Sequence, residues 1–341
     1  TWAILITSLS TSTIITMSST HWLLAWLGLE LNTLSMLPIM MKPHHPRATE
    51  ATTKYFIIQT TAASLILFSS TMNAWETGQW HITTTSSTLA TTTMAAAIML
   101  KLGLAPMHFW YPEVIQASTM NTAMIISTWQ KIAPLTLLYL TFNHLPTTTL
   151  LMMGLTSALI GGWTGLNQTQ TRKIMAFSSI AHMGWLVVAL NFNQGLATLT
   201  LLIYIMMTTT MFMSLNTTQS KTLTDIGTTW SHSPTLLTTT MITLLSLGGL
   251  PPLTGFMPKW LILKELTLTG LMTLGTTLAL ASLPSLFFYT RMAYMSTITT
   301  PPNTTNTEHK WRFKTNHITN LTLTIIMSTL LLPITPLLYT T

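Results

Sequence analysis

Cysteine is absent from the 341 residues, and charged side chains make up only 6% of them. The first absence excludes disulfides, thiolate metal centres and iron–sulfur ligation in this chain. The second excludes an ordinary water-facing surface, because soluble domains carry about a quarter charged residues. Acidic residues are scarcer still: 7 Asp and Glu stand against 14 Lys and Arg, for a net charge of +7. A basic excess suits nucleic acid, but here the basic residues are scattered among apolar runs, so no nucleic-acid partner is indicated. There is no P-loop, no Rossmann glycine pattern and no metal-ligand cluster.

What is present is apolar. Hydrophobic residues make up 48% and the mean hydropathy is +0.48, held down by threonine. A threonine hydroxyl can return to a backbone carbonyl one turn back, so threonine-rich helices are tolerated in lipid. Crossing a bilayer takes about 20 apolar residues. Measured against that length, eleven candidate spans emerge: 2–18, 22–41, 53–72, 86–112, 121–142, 147–166, 174–191, 196–215, 235–263, 270–295 and 318–339. The longest polar stretches are 216–234 and 297–317, and no soluble domain stands out. The chain starts at Thr1 without a methionine, which points to missing N-terminal residues. Its first apolar run is followed by further spans and does not read as a cleavable signal.

The basic residues support this division. Lys and Arg gather on one side of a membrane protein. With eleven spans, Lys42, Arg47, Lys54, Arg172, Lys173, Lys221, Arg291, Lys310, Arg312 and Lys314 fall on one side, and Lys264 alone on the other. Lys101, Lys131 and Lys259 remain inside spans. The expectation is an all-α polytopic membrane protein with its termini on opposite sides.

An ionisable group inside a span costs a few kcal/mol or more and marks function by default. Glu30 lies mid-span in the run from His21 to Asn32, and Lys131 lies mid-span in Thr128-Trp129-Gln130-Lys131-Ile132-Ala133-Pro134. Lys101 and Lys259 sit in the two interrupted spans. In Lys101-Leu102-Gly103-Leu104-Ala105-Pro106 the proline cannot donate to the carbonyl of Leu102 and clashes with it. In the run from Leu247 to Lys259, prolines and glycines open the helix over more than a turn. Broken backbone at membrane depth persists only inside protein or along a wet cavity, and paired broken helices with nearby charges mark ion paths. A single lysine can snorkel or pair as structural glue; three with a glutamate, two beside breaks, favour the ion path. Lys264 and Glu265 end a span, where snorkelling suffices. Glu50 and Lys54 form a solvated i,i+4 pair. Glu113 reads equally as a loop charge or a path entrance. His108 and His182 read equally as buried neutral histidines or as relays.

These residues carry a resemblance. Leu27-Gly28-Leu29-Glu30-Leu31-Asn32, Lys101-Leu102-Gly103, His108-Phe109-Trp110, Thr128-Trp129-Gln130-Lys131, Gly165-Leu166-Asn167-Gln168-Thr169-Gln170 and the run from Ser246 to Phe256 resemble the chain 2 family of mitochondrial NADH:ubiquinone oxidoreductase, respiratory complex I, in its vertebrate form. The resemblance spans nearly the whole chain and is weakest in 200–235 and 296–325. It implies an antiporter-like inverted-repeat bundle in one domain over 1–341. The first repeat would cover about 1–142, the second about 147–295, and a C-terminal helix about 318–339. It further implies a multi-pass protein of the mitochondrial inner membrane, its positive side in the matrix, among other membrane-arm subunits, neighbouring antiporter-like subunits and lipids. No cofactor is implied in this chain; NADH, FMN, iron–sulfur clusters and ubiquinone are expected in other subunits. Glu30 and Lys101 match the paired glutamate and lysine of the first half-channel. Lys131 matches the central lysine, Lys259 the terminal one, and His108 and His182 positions on the hydrated path.

The chemistry agrees. A medium of low dielectric disfavours the charged form of an amine, so a buried lysine exchanges its proton more readily than one in water. A carboxylate nearby restores the charged form. Opening or closing the Glu30–Lys101 pair would therefore alter proton affinity at the next site. Two rivals share these residues: a stand-alone cation/proton antiporter, and a scaffold subunit with vestigial sites.

Overall fold

Helices account for all the regular structure among the described residues. The structure is a computed structural model and describes residues 2–84, 87–298, 300 and 321–334. The helices are α1 (Trp2–Ser18), α2 (Trp22–Met41), α3 (Pro46–Thr77), α4 (Thr88–Leu102), α5 (Trp110–Ala117), α6 (Met120–Ser127), α7 (Ile132–Thr141) and α8 (Thr147–Gly165). They continue with α9 (Thr171–Leu190), α10 (Gln194–Thr218), α11 (Leu223–Gly227), α12 (Thr229–His232), α13 (Pro234–Gly248), α14 (Phe256–Leu268), α15 (Met272–Ile298) and α16 (Leu321–Thr329). The chain divides into two compact units, Thr1–Ser157 and Ala158–Thr341.

The hydroxyl groups behave as the composition requires. Ser12 Oγ donates to the carbonyl of Leu9 at 2.8 Å, Thr16 Oγ1 to that of Thr13 at 2.7 Å, and Ser178 Oγ to that of Met175 at 2.8 Å. Each of these hydroxyls is satisfied inside its own helix, so at those positions the helix surface meets its neighbours as if it were apolar. Small residues then let helices approach closely. A methyl group on Gly28 of α2 would lie 2.6 Å from Thr16 Cγ2 of α1, and one on Gly161 of α8 2.7 Å from the backbone nitrogen of Ala181 on α9. Helix α9 forms the core of the second unit, with 89% of its most apolar stretch buried.

Among the described residues five helices, α2, α3, α9, α10 and α15, are long and apolar enough to cross a membrane. The sequence expected eleven spans, and the difference has two physical sources. Helix α1 is apolar but shorter, at 17 residues, and three of the expected spans are each divided into two helices. Span 86–112 is divided between α4 and α5, and span 235–263 between α13 and α14. The third division was not expected. Residues 121–142 are split into α6 and α7 by a 3-10 turn at Trp129–Lys131. Pro134 explains it, since it has no N–H for the carbonyl of Gln130. Of the expected C-terminal helix 318–339, residues 318–320 and 335–339 lie outside the described residues, and α16 covers its middle.

Candidate functional site

The first unit holds Glu30, Lys101, His108 and Lys131. Lys101 occupies the last turn of α4 and is 5% exposed. The helix stops two residues later because Gly103 turns left-handed at φ 72° and its N–H closes onto the carbonyls of Leu100 and Met99. A methyl group there would also press on the Tyr111 side chain at 3.1 Å. Residues 103–109 are non-helical, as Pro106 demands, before α5 resumes at Trp110.

Lys131 ends the 3-10 turn and is 3% exposed. Its Nζ lies 4.9 Å from the centre of the Tyr111 ring, a cation–π arrangement. Lys101 and Lys131 line one cavity together with Asn32, Gln59, Gln130 and Tyr111, and it has room for roughly one water molecule. Hydrogen bonds run around its wall. Tyr55 donates its hydroxyl to Gln130 Oε1 at 3.4 Å, Gln130 Nε2 donates to Asn32 Oδ1 at 3.1 Å, and Gln59 Nε2 donates to the Lys101 carbonyl at 3.4 Å.

Glu30 stands two residues before Asn32 on α2, within electrostatic reach of Lys101 and Tyr55. The expected Glu30–Lys101 pair is open here: neither Glu30 Oε2 nor Lys101 Nζ has a hydrogen-bond partner. His108 is buried, donates Nδ1 to the Pro106 carbonyl at 3.3 Å and packs on Phe109, and it does not line the lysine cavity. Glu113 belongs to an exposed cluster, with Lys54 at 2.8 Å from it and 2.6 Å from Glu50.

The second unit holds His182 and Lys259. Helix α13 ends where Gly249 turns left-handed at φ 80°. The open segment runs over 249–255, and helix resumes at Phe256, so Lys259 sits in the first turn of α14 and not in the gap. Its Nζ reaches back across the gap and donates to the Gly248 carbonyl at 2.8 Å. That carbonyl lies at the negative end of α13, a position that favours a cation. The gap is tied on its other side by Thr254, whose hydroxyl donates to the Ser328 carbonyl of α16. His182 on α9 is half-buried and donates Nδ1 to the Ser178 carbonyl at 2.7 Å, which fixes the proton on that nitrogen. His182 and Lys259 line a common cavity with Tyr204, Thr200 and Met207.

This geometry can be set beside known proteins. Residues 19–285 match the family model of the NADH:quinone oxidoreductase/Mrp antiporter transmembrane region, and residues 286–339 match that of the NADH dehydrogenase subunit 2 C-terminus. NADH-ubiquinone oxidoreductase chain 2 of Carassius auratus is 53% identical over 338 residues, covering 99% of this chain and 97% of its own length. The chain belongs to the NADH-ubiquinone oxidoreductase chain 2 family. The Xenopus laevis member is 51% identical, with 99% of this chain and 98% of its own covered. Among solved structures, respiratory complex I from Thermus thermophilus contains a chain with TM-score 0.81 and 24% identity, covering 96% of this chain and 78% of its own. The Mrp complex from Dietzia sp. gives 0.79 at 14% identity, covering 88% and 61%. At such identities these two likenesses speak for the fold, an all-helical antiporter-like bundle.

Within this chain 2 family member, the charged residues of the candidate site stand out in the sequence but their neutral neighbours do not. Tyr111, Tyr55, Gln59 and Asn32 belong to runs read for their neighbours' charges. The one available signal was Gln130 directly before Lys131, followed by Pro134 at the spacing that opens the helix.

Proposed function

We infer that this chain is a proton-translocating membrane-arm subunit of respiratory complex I, lying in the mitochondrial inner membrane against other membrane-arm subunits. It takes part in the H+-translocating NADH:ubiquinone reductase without a redox site of its own, and NADH, FMN, iron–sulfur clusters and ubiquinone belong to other subunits. Among its described residues no group of His and acidic side chains could hold a metal ion. The chain crosses the membrane eleven times, as two repeats of about 1–142 and 147–295 followed by a helix at about 318–339.

The observation that carries the residue roles is the cavity that Lys101 and Lys131 share, with Glu30 nearby and both Lys101 Nζ and Glu30 Oε2 free of hydrogen-bond partners. Two unit charges 4 Å apart interact by about 4 kcal/mol at an effective dielectric of about 20. Closing the Glu30–Lys101 pair therefore holds the proton on Lys101 and, by neutralising its charge toward Lys131, changes how readily Lys131 is loaded. Opening the pair reverses this. Lys131 exchanges its proton with water in the first unit, and Lys259 and His182 take up and release protons in the second. His108, anchored beside the first break, completes the hydrated path.

The test is Lys131→Met, which keeps roughly the side-chain size and removes the titrating group. The assembled complex carrying it should lose most of its membrane-potential formation in vesicles while remaining intact, with ubiquinone reduction slowed if the two are tightly coupled. A fully assembled variant with normal electron transfer and normal proton yield would leave the chain a scaffold.

A further inference from the structure

The cavity lined by two lysines includes no acid among its lining residues. Apart from the lysines, its wall is made of apolar residues and neutral polar ones, and one of the polar ones is held from two sides. Gln130 accepts the Tyr55 hydroxyl from α3 and donates to Asn32 on α2, so its amide bridges two helices and the turn that carries Lys131. Its side chain is half-buried and shares the cavity with both Lys101 and Lys131. The titratable groups around it are Lys101 on α4, Tyr55 on α3, Tyr111 on α5 and, beyond the lining, Glu30 on α2.

We propose that Gln130 is a positioning residue for proton transfer: its clamped, neutral amide fixes the Lys131 turn against the Glu30 helix and leaves both lysines able to release protons. The inference rests on the proton-relay reading of Lys131. A carboxylate at this place would neutralise the lysines permanently and trap their protons, whereas the amide fills the same volume and satisfies both neighbours without a charge. The Tyr111 face above Lys131 Nζ serves the same end, because an aromatic ring steadies an ammonium more weakly than a carboxylate does.

Gln130→Glu is nearly isosteric and keeps an acceptor for Tyr55. Measured in the assembled complex in vesicles, proton pumping should fall several-fold at neutral pH. Its activity against pH should move to higher pH by about one unit or more, since an adjacent acid stabilises the ammonium form. Gln130→Asn, which keeps the amide but is too short to reach both neighbours, should lower pumping with little displacement of that profile. An unshifted profile in an assembled Gln130→Glu complex would overturn the proposal. Lys131→Met measured alongside separates the two readings. If it pumps normally, the relay itself fails. If it does not pump but Gln130→Glu behaves as wild type, only the role of Gln130 fails.

Discussion

The two helix breaks use the same parts in opposite chain order. In the first unit the lysine comes before the left-handed glycine, Lys101 then Gly103; in the second it comes after, Gly249 then Lys259. Lys101 lies in the last turn of α4, whereas Lys259 lies in the first turn of α14 and reaches back to the C-terminal, negative end of α13; at both helix ends the last carbonyls have no intrahelical partners. Only Lys259 bonds to one of them, at Gly248, while Lys101 Nζ has no hydrogen-bond partner. The comparison teaches that the second lysine doubles as a helix cap and the first does not. A group that caps a helix is tied to one position; a group without a partner can move toward Glu30 or Lys131.

The largest effects should come from removing each lysine. Lys101→Met and Lys259→Met should both lower the proton yield of the assembled complex severely. They should differ in stability. Lys101→Met removes an unpaired buried amine and should leave thermal stability unchanged or slightly raised. Lys259→Met strands the Gly248 carbonyl and should cost about 1–3 kcal/mol. Thermal unfolding of the purified complex, measured beside proton yield, reads both. Equal stability losses would break the comparison.

Smaller effects should follow from the glycines. Alanine in the left-handed region costs about 1–2 kcal/mol at either position. At Gly103 the new methyl also meets the packed Tyr111 side chain at 3.1 Å, whereas at Gly249 it meets the tip of Lys259 at 2.9 Å. A buried ring resists and a flexible amine yields. Gly103→Ala should therefore reduce the amount of assembled complex, and Gly249→Ala should assemble nearly normally but pump poorly because Lys259 is displaced. Assembly on native gels with proton yield per NADH distinguishes them.

The outline of the fold was legible because hydropathy and charge asymmetry are properties of whole segments. Helices α1 and α2 begin and end at the residues expected, and the breaks after Lys101 and Gly248 fall where proline and glycine demand them. Single proline positions were read less well. Pro134 opens the helix at Lys131, yet Pro258 lies inside the first turn of α14, where a missing N–H costs nothing. The same residue type breaks one helix and starts another, and only its distance from the preceding helix end decides which. The charges of the candidate site were legible because a buried charge is rare and costly. Its amides and tyrosines were not, since Asn32, Gln130 and Tyr55 meet only through contacts between α2, α3 and the turn before α7. No spacing along the chain encodes such a meeting.

The smallest effect concerns Glu113, which the sequence left open between a surface charge and the mouth of the path. It lies in the first turn of α5, where a carboxylate also suits the positive helix end. Its partner Lys54 keeps a second carboxylate, Glu50, at 2.6 Å, and all three side chains are well exposed. Exposed pairs are screened by water and salt and lose little when one member is neutralised. Glu113→Gln should thus leave assembly, ubiquinone reduction and proton yield unchanged at ordinary ionic strength. A fall in proton yield without loss of assembly would make Glu113 an entrance to the Lys101 cavity. The first break would then have an outer acid serving it, and the contrast with the capped lysine of the second break would extend from the lysines themselves to how each is supplied with protons.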